Sequence, residues 1–166
     1  MSNHPQHAEL DTLLEEVCAS GLEFIVVGGA AALLHGAPIT TQDVDIVHRT
    51  STQNVDRLEI LLSRLQARVR DPAGRHLVPS RSAMEGTGQI NLLTKCGPLD
   101  LLCRLHDGRG YDELLPHTEL MTDGSMMLRV IDLPTLISIK ASTGRARDRM
   151  VVPILRALLE ESSDPE

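Results

Sequence analysis

The sequence predicts an α/β (α+β) fold, and three observations predict it. Phe24–Val27 (FIVV) reads as a short buried strand that passes through Gly28-Gly29 into a small, apolar, helix-forming stretch, Ala30–Leu34. Asp43–Val47 (DVDIV) reads as a second strand with one charged face. It is followed by an amphipathic helix whose stripe is Val55, Leu58, Leu61, Leu62 and Leu65. Gln89–Thr94 (QINLLT) and Leu99–Cys103 (LDLLC) have the spacing of a hairpin joined at Gly97-Pro98. Interleaved strand and helix patterns of this kind build a sheet covered by helices.

The chain of 166 residues fits a single domain over 1–166, with 1–7 read as a disordered leader and 161–166 as a frayed tail. Aromatic residues make up only 1% and Trp is absent, so the core must be built from Leu, Val, Ile, Met and Ala. A net charge of −7 argues against a generally basic nucleic-acid surface, while leaving room for a local patch. No apolar run approaches the roughly 20 residues of a membrane span, and MSNHPQHAEL lacks the pattern of a secretory signal. Cys18, Cys96 and Cys103 are odd in number and show no C-x-x-C spacing, which fits neither a disulfide framework nor a zinc site. A reducing cytoplasm is the expected compartment.

The remaining elements follow in order. Leu10, Leu13, Leu14 and Val17 fall at helical spacing, and Ser20-Gly21 ends that helix. Gly36 and Pro38 stop the short helix after Gly29, with His35 as a helix-end residue. Ser51 or Thr52 is the N-cap of the amphipathic helix. The stretch 70–88, with Arg70, Arg75, His76 and Arg81, reads as a solvated loop holding a short strand near His76–Val78. The alternative is a basic lip beside a binding site. Tyr111–Leu115 reads as a helical turn. Glu119–Met121 and Met126–Ile131 read as strands around an Asp123-Gly124 turn, with Met126 and Met127 filling the core. Leu133–Ser142 reads as a helix opened by Pro134. A last helix uses Met150, Val151, Ile154, Leu155, Leu158 and Leu159, started or kinked by Pro153.

The segment Phe24–His48 carries the chemistry. Strand side chains alternate, so Asp43 and Asp45 share one face while Val44 and Ile46 face the core. Paired carboxylates repel unless a cation sits between them, and Mg²⁺ takes one or two carboxylates together with substrate phosphates. Gly28 and Gly29, before a helix N-terminus, offer a cradle for phosphate. Asp100 interrupts an apolar strand, where a carboxylate is costly unless paired or on a metal. It is the candidate third carboxylate, and the alternative is a cap on the turn after Pro98.

This pattern, GG followed by a helix and then Asp-x-Asp, resembles the nucleotidyltransferase superfamily of the DNA polymerase β-like fold. The wording GGAAALLHG…TTQDVDIV is most similar to small bacterial members, including AbiEii-type toxins and minimal nucleotidyltransferases. The resemblance implies a central mixed sheet flanked by helices, with a C-terminal helical segment. It implies that Asp43, Asp45 and Asp100 are catalytic and hold Mg²⁺, or Mn²⁺ in its place. Gly28, Gly29, Thr41, Lys140 and Arg145 would bind the nucleotide, with Arg147 and Asp148 in the same late segment.

The implied reaction moves a nucleoside monophosphate from a nucleoside triphosphate to an acceptor hydroxyl on RNA, protein or a small molecule, with an antitoxin as a further partner. Two positions depart from the family pattern. Ile39 stands where an Arg is common, four residues before Asp43, and Val151 stands where an acidic residue is common. The alternative reading is a non-catalytic nucleotide- or partner-binding module that kept the fold. The Lys140 pattern also fits a surface lysine on an amphipathic helix.

Overall fold

The computed structural model describes residues 4–163. Residues 1–3 of the expected leader and 164–166 of the expected tail lie outside the described residues. His4 is buried, with its Nε2 3.0 Å from the Gln66 carbonyl oxygen.

One seven-stranded mixed sheet organises the chain. Its strands are β1 (Phe24–Val27), β2 (Val44–His48), β3 (Arg68–Val69), β4 (Gln89–Thr94), β5 (Gly97–Leu102), β6 (Thr118–Asp123) and β7 (Met126–Ile131). They lie in the order β3-β4-β5-β2-β1-β7-β6. The pairs β2·β5 and β1·β7 are parallel and the others antiparallel. All four residues of β1 are buried, as expected of a central strand covered on both faces.

The helices are α1 (Leu10–Ala19), α2 (Gly28–Leu34), α3 (Thr52–Arg64), α4 (Arg81–Met84), α5 (Tyr111–Leu114), α6 (Leu133–Ser142) and α7 (Ala146–Ser163). The apolar stripes bury as their spacing dictates. Leu13, Leu14 and Val17 are sealed in α1, and Val55, Leu58, Leu61 and Leu62 in α3. Ser51 holds the N-cap position of α3 without a side-chain cap bond. The start of that helix is tied down by buried Asn54, which donates to the carbonyls of Glu23 and Arg49 and accepts from the Glu23 amide. Asp132 caps α6 by accepting from the Thr135 amide at 2.9 Å, with Pro134 in the first turn. His35 closes α2, its Nε2 2.7 Å from the Ile131 carbonyl oxygen.

Several local expectations change. The β4–β5 turn is Lys95-Cys96, one pair earlier than Gly97-Pro98. Thr94 pairs with Gly97 and Pro98 with Leu93. The Thr94 hydroxyl donates to the Gly97 carbonyl and accepts from the Cys96 amide, which shapes this turn. The stretch 70–88 contains a helical turn, α4, capped by Ser80, and Val69 donates to the Leu77 carbonyl. Met126 is buried but Met127 is 64% exposed, because adjacent residues of a strand face opposite sides. Met150 is 76% exposed rather than part of the core stripe. Helix α7 begins at Ala146, so Pro153 lies inside it and does not start it.

Candidate active site

The site grows from the end of β1. Gly28 has φ +64°, a left-handed conformation that glycine takes without strain, and a Cβ there would overlap Asp45 Oδ2. A Cβ on Gly29 would lie 2.8 Å from Thr41 Oγ1. The double glycine therefore makes room for Asp45 and Thr41 to close over the turn. Thr41 in turn donates to the Asp43 carbonyl at 2.9 Å and fixes the approach to β2.

Asp43 lies just before β2 and Asp45 within it. Asp100 lies in mid-strand on β5, directly beside Asp45 in the parallel ladder, so it is not a turn cap. One oxygen from each of the three carboxylates falls within 4.8 Å of the others. Asp100 is 6% exposed, and Asp45 Oδ1 is buried without a hydrogen-bond partner. Burial and the neighbouring Asp43 push the Asp45 carboxyl up to about 6, while Lys140, Arg70 and Arg147 pull it back. Three hard oxygen donors, one of them unpartnered, fit Mg²⁺ or Mn²⁺.

Opposite charge comes from two sides. Arg70, just past β3, reaches Asp100 with Nη2 and lies 3.9 Å from Asp43 with Nη1. Lys140 is only 9% exposed, which excludes a surface lysine. Its Nζ bonds Asp148 Oδ1 at 3.2 Å, and Thr143 donates to Asp148 Oδ2 at 2.6 Å. Burial raises the Asp148 carboxyl, but the Thr143 hydrogen bond and the Lys140 charge outweigh it and leave the group below its usual range.

Gly28, Gly29, Thr41, Asp43, Asp45, Asp100, Lys140 and Arg145 all line one cavity of about 610 Å³, joined by Arg147 and Asp148. Ile39, Ile139 and Val151 give it an aliphatic wall, so the two departures from the family pattern sit inside the cavity.

For Arg70 the alternative reading of 70–88, a basic lip beside the site, holds, since it reaches the carboxylates. Its particular partners are what the sequence did not reveal. Arg70 follows a two-residue strand, too short for alternation to show. The other two arginines of that stretch are occupied elsewhere: Arg75 pairs with Asp71, and Arg81 with Asp56, Glu59 and Glu85. A buried contact between Cys103 Sγ and His48 Nε2, 3.9 Å, is not a nucleophile pair. His48 Nε2 lies 2.8 Å from the Met84 carbonyl oxygen and must donate to it, so it has no lone pair for a thiol proton. Burial also pushes the thiol up and holds the imidazole down.

No protein-family model matches the chain, and no curated protein matches it. Solved structures do. The lincosamide antibiotic adenylyltransferase LnuA, in its lincomycin-bound form, is similar over 94% of this chain and 99% of its own, with a TM-score of 0.61 at 13% identity. The antibiotic-resistance factor ANT(2'')-Ia is similar over 91% and 84%, with a TM-score of 0.56 at 12% identity. TM1012 from Thermotoga maritima, a candidate nucleotidyltransferase, is similar over 92% and 91%, with a TM-score of 0.54 at 18% identity. The chain has the nucleotidyltransferase fold. Among the described residues no helix is long and apolar enough to cross a membrane.

Proposed function

We propose that the protein is a metal-dependent nucleotidyltransferase that moves a nucleoside monophosphate from a nucleoside triphosphate to an acceptor hydroxyl and releases pyrophosphate. The observation that carries this reading is the convergence of Asp43, Asp45 and Asp100 in a cavity that also holds Lys140, Arg145 and Arg147. Mg²⁺ or Mn²⁺ on the three carboxylates would neutralise phosphate charge and make the acceptor hydroxyl more acidic.

The chain's own residues do the rest. Lys140, held in place by Asp148, meets the triphosphate and offsets the charge that develops as pyrophosphate leaves. Arg145 and Arg147 add cations to the same wall. The turn at Gly28-Gly29 lets the backbone approach the phosphates, and Thr41 fixes the strand entry that presents Asp43. Asp100 accepts the acceptor's proton or serves as the third ligand. Positioning and electrostatics supply most of the catalysis in such transfers, so no protein nucleophile is required.

The acceptor is RNA, a protein or a small molecule. The similarity to LnuA, a lincosamide antibiotic adenylyltransferase, supports the last class. The toxin-like assignment and the antitoxin partner rest on the wording of GGAAALLHG…TTQDVDIV alone. A second reading, nucleotide binding without turnover, is favoured by Ile39 and Val151, aliphatic side chains in the cavity where charged ones are common in the family. Incubation with each labelled triphosphate, Mg²⁺ and panels of antibiotics, RNA and protein tests the proposal. Label transfer with pyrophosphate release supports it. Tight triphosphate binding with no transfer to any panel and no pyrophosphate favours the second reading.

A further inference from the structure

The sheet places four polar residues in one row. Asp45 lies beside Asp100, Asp100 opposite Asn91, and Arg70 donates its amide to the Asn91 carbonyl at 2.9 Å. The β3–β4 register, Arg68 with Leu93 and Val69 with Leu92, brings Arg70 level with Asn91. Arg70 is therefore two strands from Asp100, about 10 Å at ordinary strand spacing. That gap is closed by a long side chain reaching over Asn91.

Three carboxylates this close cannot all stay charged without a cation among them. The structure places the Arg70 guanidinium among them, on Asp100 and near Asp43, while Lys140 and Arg147 also act on Asp45. The reach of Arg70 is one-sided. Nη2 pairs with Asp100, while Arg70 Nε has no acceptor and Asp45 Oδ1 is left unpartnered. The side chain is 30% exposed at the sheet edge, so it has a way out.

We propose that Arg70 is the resident cation of the carboxylate triad and that a divalent ion loads by exchanging with it at Asp100. This rests on reading the triad as a metal site. A divalent ion carries twice the charge and can touch all three carboxylates, whereas Arg70 reaches two. Arg70 thereby sets the metal concentration at which the site fills, and it keeps the empty site from repelling itself apart.

The test is Mn²⁺ titration without nucleotide, followed by electron paramagnetic resonance of the free ion, on the wild type, Arg70→Met and Arg70→Lys. Thermal melts of the same proteins are run in chelator and in Mn²⁺. Arg70→Met is expected to bind Mn²⁺ at least ten-fold more tightly, to melt lower than wild type in chelator, and to gain more from Mn²⁺. Arg70→Lys, a shorter cation, is expected to fall between the two and keeps the test open if the Met variant does not fold. Equal or weaker Mn²⁺ binding by either variant overturns the exchange while leaving the metal site standing. No Mn²⁺ binding by any of the three overturns both.

Discussion

Asp45 and Asp100 lie side by side in the parallel β2–β5 ladder, so two carboxylates from strands 55 residues apart are set on one face by register alone. Asp43 joins them from two residues upstream, and the turn at Gly28 closes the fourth side. The site is a local conflict of like charges built into an otherwise apolar sheet, and its behaviour follows from that conflict.

Removing one charge should stabilise the empty protein. Burial and Asp43 raise the Asp45 carboxyl to about 6, above its unfolded value near 3.8. The folded state thus holds that proton more tightly. The resulting stabilisation is fully present below about 3.8 and is lost as pH rises through about 6. In chelator at pH 7.5, Asp45→Asn should therefore melt higher than wild type, and the difference should shrink at pH 5. Thermal melts at the two pH values check this; a difference that does not change with pH would remove the charge-repulsion account.

On the proposed reading of the triad as a metal site, the same carboxyl would govern metal loading. Ligand carboxylates must be ionised, so Mn²⁺ affinity should fall as pH drops below about 6. Titrations at pH 5, 6 and 7.5 read it out.

Gly28→Ala should be more damaging than a methyl group implies. The left-handed backbone costs a non-glycine residue about 1–2 kcal/mol, and the new Cβ would also displace Asp45. Urea unfolding should show the loss, and Mn²⁺ binding should weaken with it. A variant of full stability and unchanged Mn²⁺ affinity would contradict the geometry at this turn.

Lys140 and Asp148 form a pair that is nearly enclosed, with 11% and 13% side-chain exposure. Lys140→Met strands Asp148 and should cost about 3 kcal/mol. Lys140→Met/Asp148→Asn should recover most of that stability without restoring triphosphate affinity. A double variant that binds triphosphate like wild type would show that Lys140 is structural only.

Much of this was legible in the sequence because its signals are local. The apolar run before Gly-Gly, the alternation of Asp43-Val44-Asp45-Ile46, and one carboxylate inside LDLL each declare themselves over a few residues. The structure brings all three carboxylates together. What was hidden depends on pairing across the sheet. Two residues of β3 show no alternation, so nothing in the sequence aligns Arg70 with Asn91 and Asp100. Strand alternation already forbade burying both Met126 and Met127 in the core. Which of them is buried, and the exposure of Met150, depends on which side of an element the neighbouring layers cover. Asp148 resembled a family position, but only the meeting of α6 and α7 shows that it grips Lys140.

The most direct measurement is calorimetric titration with ATP, GTP, CTP and UTP, with and without Mg²⁺, on the wild type and on Asp43→Ala/Asp45→Ala. The account predicts Mg²⁺-dependent binding of at least one triphosphate that disappears in the double variant. Binding that is indifferent to Mg²⁺ and survives the loss of both carboxylates, or no binding by folded wild-type protein, would contradict it.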